Sequence, residues 1–168
     1  FQDIRIFDKL TVLDNVLVAF HDPVSEKFYN NIFKPGVISR IEKEKKEKAK
    51  ELLEFVGLLN YQNTYAENLS YGQQKLLSIA RLLAMGSDVL LLDEPTSGVH
   101  PALISKIIEL IKNLSEQGKT VIFIEHNINV VLEIADWLYL MDEGKVVAFG
   151  LPDEVLNDKI TKEVYLGV

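Results

Sequence analysis

The chain has 168 residues, no cysteine and a formal charge of −7. The acidic balance argues against a nucleic-acid surface, and the missing cysteines exclude disulfides and thiolate metal sites. With 48% hydrophobic residues the length allows a normal buried core, and no signal peptide or run of about eighteen apolar residues is evident, so any membrane attachment is expected through a partner.

In chain order, a mostly helical region is expected from about Leu10 to Arg81, its first helix beginning at Thr11-Val12-Leu13-Asp14-Asn15-Val16-Leu17. Phe28-Tyr29-Asn30-Asn31-Ile32-Phe33 with Lys34-Pro35-Gly36 reads as a loop or short helix whose aromatics pack that region. The longest helix is expected from Ser39 to Leu59. In it Ile38, Ile41, Ala49, Leu52, Leu53 and Val56 keep roughly helical spacing, while Glu42 with Lys46 and Glu44 with Lys48 form i, i+4 pairs on a solvated face.

Ser70-Tyr71-Gly72-Gln73 then reads as a capping box: Ser70 caps the first turn of a helix and Gln73 reaches back. Taken alone, that is a local cap and nothing more. Gly72 adds something, because a residue without a β-carbon lets an anion approach the exposed amides and the positive end of the helix dipole.

The run Val89-Leu90-Leu91-Leu92 is apolar on both faces, as expected of a buried parallel strand covered by helices. Asp93 and Glu94 leave the core at its carboxyl end, where open α/β sheets bind ligands. Many strands end in an acidic turn. With the Ser70 to Gln74 helix start upstream, however, the pair fits a nucleotide site: the first carboxylate would hold Mg²⁺, usually through water, and the second would orient or deprotonate the attacking water.

Strands are expected near 89–93, 120–125 and 137–141, alternating with helices near 101–117 and 128–135, the pattern of a parallel α/β sheet. Gly118-Lys119-Thr120 imitates the end of a phosphate-binding loop, but Asn113 occupies the first glycine's place and a strand follows, so it reads as a helix-to-strand turn. No Gly-x-x-x-x-Gly-Lys-Ser/Thr motif occurs. After the second strand comes Glu125-His126, and His126 shares a sheet edge with Glu94 if the two strands are neighbours. Asp142-Glu143-Gly144 reads as a hairpin turn pairing Trp137 to Met141 with Lys145 to Phe149, and Leu151 to Val168 as short closing helices begun by Pro152 and Asp153.

Gln2, Leu69 to Gln74, Asp93-Glu94, Ser97-Gly98 and His126 occur in the order of the Q-loop, signature motif, Walker B, D-loop and switch histidine of ATP-binding cassette (ABC) ATPases, and the chain resembles that family over essentially its whole length. Within the family it is most similar to the ATPase subunit of branched-chain amino-acid transporters, through Phe1-Gln2 with Arg5, Phe7 and Thr11-Val12, then Asn15 to Ala19, Ser70 to Gln74 and Tyr165-Leu166-Gly167.

The resemblance implies an α/β fold: the C-terminal part of a P-loop NTPase (RecA-like) ABC ATPase domain with a helical signature subdomain. Residues 1–86 would carry the Q-loop and helical subdomain and residues 87–168 the C-terminal part of the RecA-like core, with the N-terminal Walker A portion absent. It implies ATP and Mg²⁺, with Glu94, His126 and Gln2 as catalytic residues, Ser70, Tyr71, Gly72 and Gln73 on the nucleotide, and Ser97, Gly98 and His100 in the D-loop. Asp93 and Gln2 would hold the metal, partly through water.

The implied partners are a second ABC ATPase subunit, identical or not, packed head to tail, transmembrane permease subunits and, indirectly, a substrate-binding protein, with no nucleic acid. The place is peripheral, on the cytoplasmic face of the cell membrane, where hydrolysis is coupled to import of branched-chain or other amino acids. Alone, the 168-residue chain is expected to be inactive, as a non-catalytic interaction fragment would be. Alternatives are an ATPase of another ABC system, such as the lipopolysaccharide-export type, or a non-transport ABC ATPase, which should show basic patches or coiled-coil insertions. Three positions depart from the family pattern: His100 where Asp is usual, Asn127 where Asp often follows the switch histidine, and Lys75 where Arg is usual.

Overall fold

The computed structural model describes residues 6–20, 35–158 and 161. Gln2, with Phe1 and Arg5, the aromatic segment Phe28 to Phe33 and the Tyr165-Leu166-Gly167 end lie outside the described residues. The chain divides into two compact units, Phe1–Ile124 and Glu125–Val168.

The first unit begins with α1 (Val12–Ala19), α2 (Pro35–Phe55) and, after two short 3₁₀ turns, α3 (Tyr71–Ala84). Thr11 caps α1 by accepting from the Asp14 N–H at 3.1 Å. The three helices pack on one another through Val12 and Val16 of α1, Ala49 and Leu53 of α2, and Leu76, Leu77 and Ala80 of α3, all buried. Complete burial of side chains such as Leu53 and Leu77 stabilises the subdomain by about 1.5–3 kcal/mol each.

Helix α2 lies about one turn earlier than the expected Ser39 to Leu59. It starts at Pro35, whose missing N–H costs nothing in a first turn. It stops because Gly57 turns to φ +74, where its N–H bonds to the Glu54 carbonyl and that of Leu58 to the Leu53 carbonyl. On its wet side Glu44 pairs with Arg40 at 2.9 Å in place of Lys48, and Glu47 pairs with Lys50 at 2.9 Å. The Lys50 hydrogen bond holds the Glu47 carboxyl below its ordinary range.

Next come β1 (Val89–Asp93), α4 (Pro101–Glu116) and β2 (Thr120–Ile124). The two strands are parallel neighbours, with Asp93 opposite Ile124. Helix α4 packs on β2, and Leu90 is fully buried. The expectation that β1 is covered on both faces is not met: Leu91 is 70% exposed and Ile124 65%, with Val89 and Ile122 open on the same side. The expected helix-to-strand turn is present. Gly118 at φ +84 donates to the Ser115 carbonyl and Lys119 to that of Leu114, a Schellman closure. The Lys119 ammonium then reaches back to the Ser87 carbonyl and Asp88.

The second unit contains α5 (Ile128–Ile134), β3 (Leu138–Asp142), β4 (Lys145–Gly150) and α6 (Pro152–Asn157). Among the described residues β3 pairs antiparallel with β4 alone and does not extend the parallel pair. The β3–β4 pairing is local. Glu143 at φ +45 and Gly144 at φ +78 make the two-residue turn that suits strand twist, and so short a loop closes at little entropic cost. Val130, Val131, Leu140 and Val155 form the small core of this unit.

Candidate functional site

Helix α3 opens with the expected capping box. The Ser70 hydroxyl accepts from the Gln73 N–H at 3.4 Å, and the Gln73 side-chain oxygen accepts from the Ser70 N–H at 2.9 Å. The box satisfies the Gln73 amide, while those of Tyr71 and Gly72 have no partner within the helix.

Gly72 serves packing. A β-carbon there would stand 2.4 Å from Leu103 Cδ2 and 3.4 Å from Val99 Cγ1, so Leu103 of α4 and Val99 just before it fill the side-chain direction at this position. The glycine allows the first turn of α3 to approach α4.

The two carboxylates sit where the strand pattern put them. Asp93 ends β1 and Glu94 follows it, both partly buried. Glu94 adopts φ +44, a left-handed conformation that costs a side-chain-bearing residue about 1 kcal/mol or more and persists only where neighbours impose it. Its N–H donates to the Ile124 carbonyl at 2.9 Å, and its own carbonyl accepts from the Ser97 N–H at 3.2 Å. Buried Pro95 and Thr96 complete the turn.

The helix start and this turn are in direct contact. Lys75, one turn after Tyr71, donates from Nζ to the Glu94 carbonyl at 2.6 Å and to the Ser97 carbonyl at 2.7 Å. The same ammonium lies 5.3 Å from the centre of the Tyr71 ring. Gly98, at φ +68, receives the edge of that ring: a β-carbon there would lie 3.2 Å from Tyr71 Cε1. Ser70, Tyr71, Gly72, Gln73, Asp93, Glu94, Ser97 and Gly98 therefore belong to one packed assembly.

His100 acts as the N-cap of α4, its Nδ1 accepting from the Ala102 N–H at 3.3 Å. Imidazole is an unusual cap, and a carboxylate would also complement the helix dipole. His100→Asp is expected to stabilise the protein by about 0.5–1 kcal/mol. Thermal unfolding would show this as a small rise in Tm, and an unchanged or lower Tm would count against it. Asn127 caps α5 in the same way, accepting from the Asn129 N–H at 3.1 Å.

β1 and β2 are neighbours, the condition on which the reading of His126 depended, while His126 follows Glu125 at the start of the second unit. Among the described residues no group of three His, Cys, Asp or Glu stands together as a metal-holding set. A strand-end aspartate fits Mg²⁺ nonetheless, since that ion takes one or two carboxylates plus substrate phosphates and keeps several waters.

Sequence reasoning noted Lys75 only as a replacement for arginine and missed its bonds. It missed Asn15 as well. That side chain is fully buried, accepts from the Phe7 N–H at 2.9 Å and donates to the Phe7 carbonyl at 2.9 Å and the Thr11 carbonyl at 3.0 Å. The Phe7 ring in turn lies 4.9 Å from the Arg81 guanidinium of α3, whose burial pushes its pKa down.

The family model for the AAA domain, putative AbiEii toxin, Type IV TA system, matches residues 1–133. The high-affinity branched-chain amino acid transport ATP-binding protein LivG of Salmonella typhimurium is 35% identical over 168 residues, which span 99% of this chain and 66% of the relative. The ADP conformation of MJ1267, an ATP-binding cassette of an ABC transporter, matches with a TM-score of 0.75 at 34% identity, over 96% of this chain and 64% of that one. The dimeric post-hydrolysis state of the ATP-binding cassette MJ0796, bound to ADP and Pi, matches with a TM-score of 0.69 at 28% identity, over 90% and 61%.

The chain belongs to the AAA-domain family whose model it matches, and the relatives and solved structures it resembles are ATP-binding cassettes of ABC transporters. It is similar over its whole length to the ATP-binding proteins of branched-chain amino acid transport, and it spans 66% of the length of the LivG relative. Among the described residues no helix is long and apolar enough to cross a membrane.

Proposed function

We propose that the whole protein is the ATP-hydrolysing subunit of an ABC importer for branched-chain or other amino acids. The observation that supports this is the packing of the Ser70 helix start against the Asp93-Glu94 turn, which brings the amides that would face phosphate and the strand-end carboxylates into one unit. Identity of 35% with LivG supports the substrate class.

In this reading two subunits pack head to tail, and the amides at the start of α3 in one close over the γ-phosphate of ATP held by the other. Ser70, Tyr71, Gly72 and Gln73 form that lid. Glu94 takes a proton from the attacking water, Gln2 and His126 contact the water and γ-phosphate, and Ser97, Gly98 and His100 face the partner. Asp93, with Gln2, would hold Mg²⁺, which supplies charge neutralisation on the phosphates. The helical subdomain receives a cytoplasmic helix of the permease, so the subunit works peripherally at the inner side of the membrane, and a substrate-binding protein delivers the amino acid.

Transport of labelled leucine into vesicles holding the permease and the whole ATPase tests the reading. With the substrate-binding protein supplied, uptake that requires ATP and is lost with Glu94→Gln is expected; ATP-independent uptake, or none with any amino acid, would overturn the transport assignment, and uptake of other amino acids but no branched-chain one would change the substrate class. The 168-residue chain by itself, lacking a phosphate-cradling motif, is expected to bind Mg·ATP no better than about 1 mM. Calorimetric titration giving a Kd near 1 μM, about −8 kcal/mol, would contradict that.

A further inference from the structure

We propose that Lys75 is a positioning residue for hydrolysis, fixing the turn that presents Glu94 and tying it to the phosphate-facing start of α3. The inference rests on the function proposed above and adds to it a residue with no assigned part in the reaction. Two charge-assisted bonds, at 2.6 and 2.7 Å, run from one ammonium to the carbonyls of Glu94 and Ser97. One of these carbonyls belongs to the proposed base itself.

Glu94 needs such a restraint because φ +44 is not a conformation a glutamate holds unaided. Its N–H is fixed by Ile124 and its carbonyl is met by both Ser97 N–H and Lys75. The peptide groups on either side of the Glu94 side chain are thus pinned, one to β2 and the other to α3. The partly buried Lys75 side chain runs beside Tyr71, and the Tyr71 ring covers Gly98 at the other end of the same turn. A shift of the α3 start is therefore carried to the carboxylate by a short, charged link. Lys119 also binds a backbone carbonyl, but at Ser87, before β1 and away from the carboxylates.

The contrast between the two lysines makes the proposal testable. In the whole ATPase, Lys75→Met keeps most of the side chain's volume and removes the donors, whereas Lys75→Arg keeps the charge and two or more N–H groups. Lys75→Met is expected to lower kcat by about tenfold or more with little change in the KM for ATP, since misplacing a catalytic group slows chemistry without weakening substrate binding. Lys75→Arg should recover most of that loss, and Lys119→Met should leave kcat unchanged.

Amide hydrogen exchange of residues 93–98 gives a readout independent of turnover, and it should quicken in Lys75→Met without a comparable change across α1 and α2. Unchanged exchange and unchanged kcat in Lys75→Met would overturn the proposal, as would a kcat loss that Lys75→Arg fails to rescue or that comes with general loss of protection. If the unmodified ATPase does not hydrolyse ATP, the proposed function fails, and the role of Lys75 in hydrolysis fails with it. Quickened exchange in that case would show a structural tie alone.

Discussion

Glu94→Gln in the whole ATPase is expected to lower ATP turnover by about 10²- to 10⁴-fold while leaving ATP affinity close to normal, because a positioned general base contributes a rate factor of that size. The amide keeps the shape of the side chain and cannot accept a proton. The backbone of the turn is held by Ile124, Ser97 and Lys75 through main-chain groups that the substitution does not touch, so geometry should survive while basicity is lost. The variant should therefore accumulate with ATP bound and its two subunits closed. Rapid filtration with labelled ATP would show retained nucleotide, and a phosphate-release assay the lost turnover. Near-normal phosphate release would remove Glu94 from the role of base and leave it as a structural member of the turn.

Local features of this chain were legible because their determinants lie within a few residues. The Ser70 box joins positions three apart, the Gly118 closure spans one helical turn, and the Glu143-Gly144 hairpin is a two-residue turn. Strand ends likewise came within a residue or two, because apolar runs stop where carboxylates begin. The order of motifs from Leu69 to Glu94 is enough to indicate the family.

What the sequence did not disclose depends on distant partners. The packing role of Gly72 is set by Leu103, on another helix, and Lys75 reaches carbonyls 19 and 22 residues away. Nothing in a local pattern distinguishes such a lysine from the solvated ones of α2. Exposure on one face of β1 was equally hidden, since Val89 to Leu92 looks alike whether one side is covered or two. The stop of α2 at Phe55 was missed for a different reason: apolar periodicity continues through Val56 and Leu58, both buried, although the backbone has already turned at Gly57.

Asn15→Leu is expected to destabilise the helical subdomain by about 3 kcal/mol or more: it leaves the Phe7 N–H without its partner, at about 1–3 kcal/mol, and presses leucine methyls against carbonyls that sit at hydrogen-bond distance, at about 1–3 kcal/mol. The carbonyls of Phe7, Leu10 and Thr11 keep the backbone N–H groups of Leu10, Ala66 and Asn15 as partners. Asn15 is fully buried, and its amide fastens the segment before α1 to the helix by accepting from the Phe7 N–H and donating to the carbonyls of Phe7, Leu10 and Thr11. Loosening that segment also releases the Phe7 ring from Arg81 on α3, so the loss should spread to the packing between α1 and α3. For a chain of this size the effect corresponds to a fall in Tm of roughly 6–12 °C. Asn15→Asp separates the donors from the acceptor: its carboxylate would face three carbonyl oxygens, so its folded-state pKa must lie above the unfolded value. That variant should be least stable at neutral pH and should regain stability as the pH falls and the carboxyl becomes a donor again. Thermal unfolding of both variants across that range checks the assignment, and an Asn15→Leu protein that melts within a degree or two of the parent would show that water meets the backbone groups as well as the asparagine does.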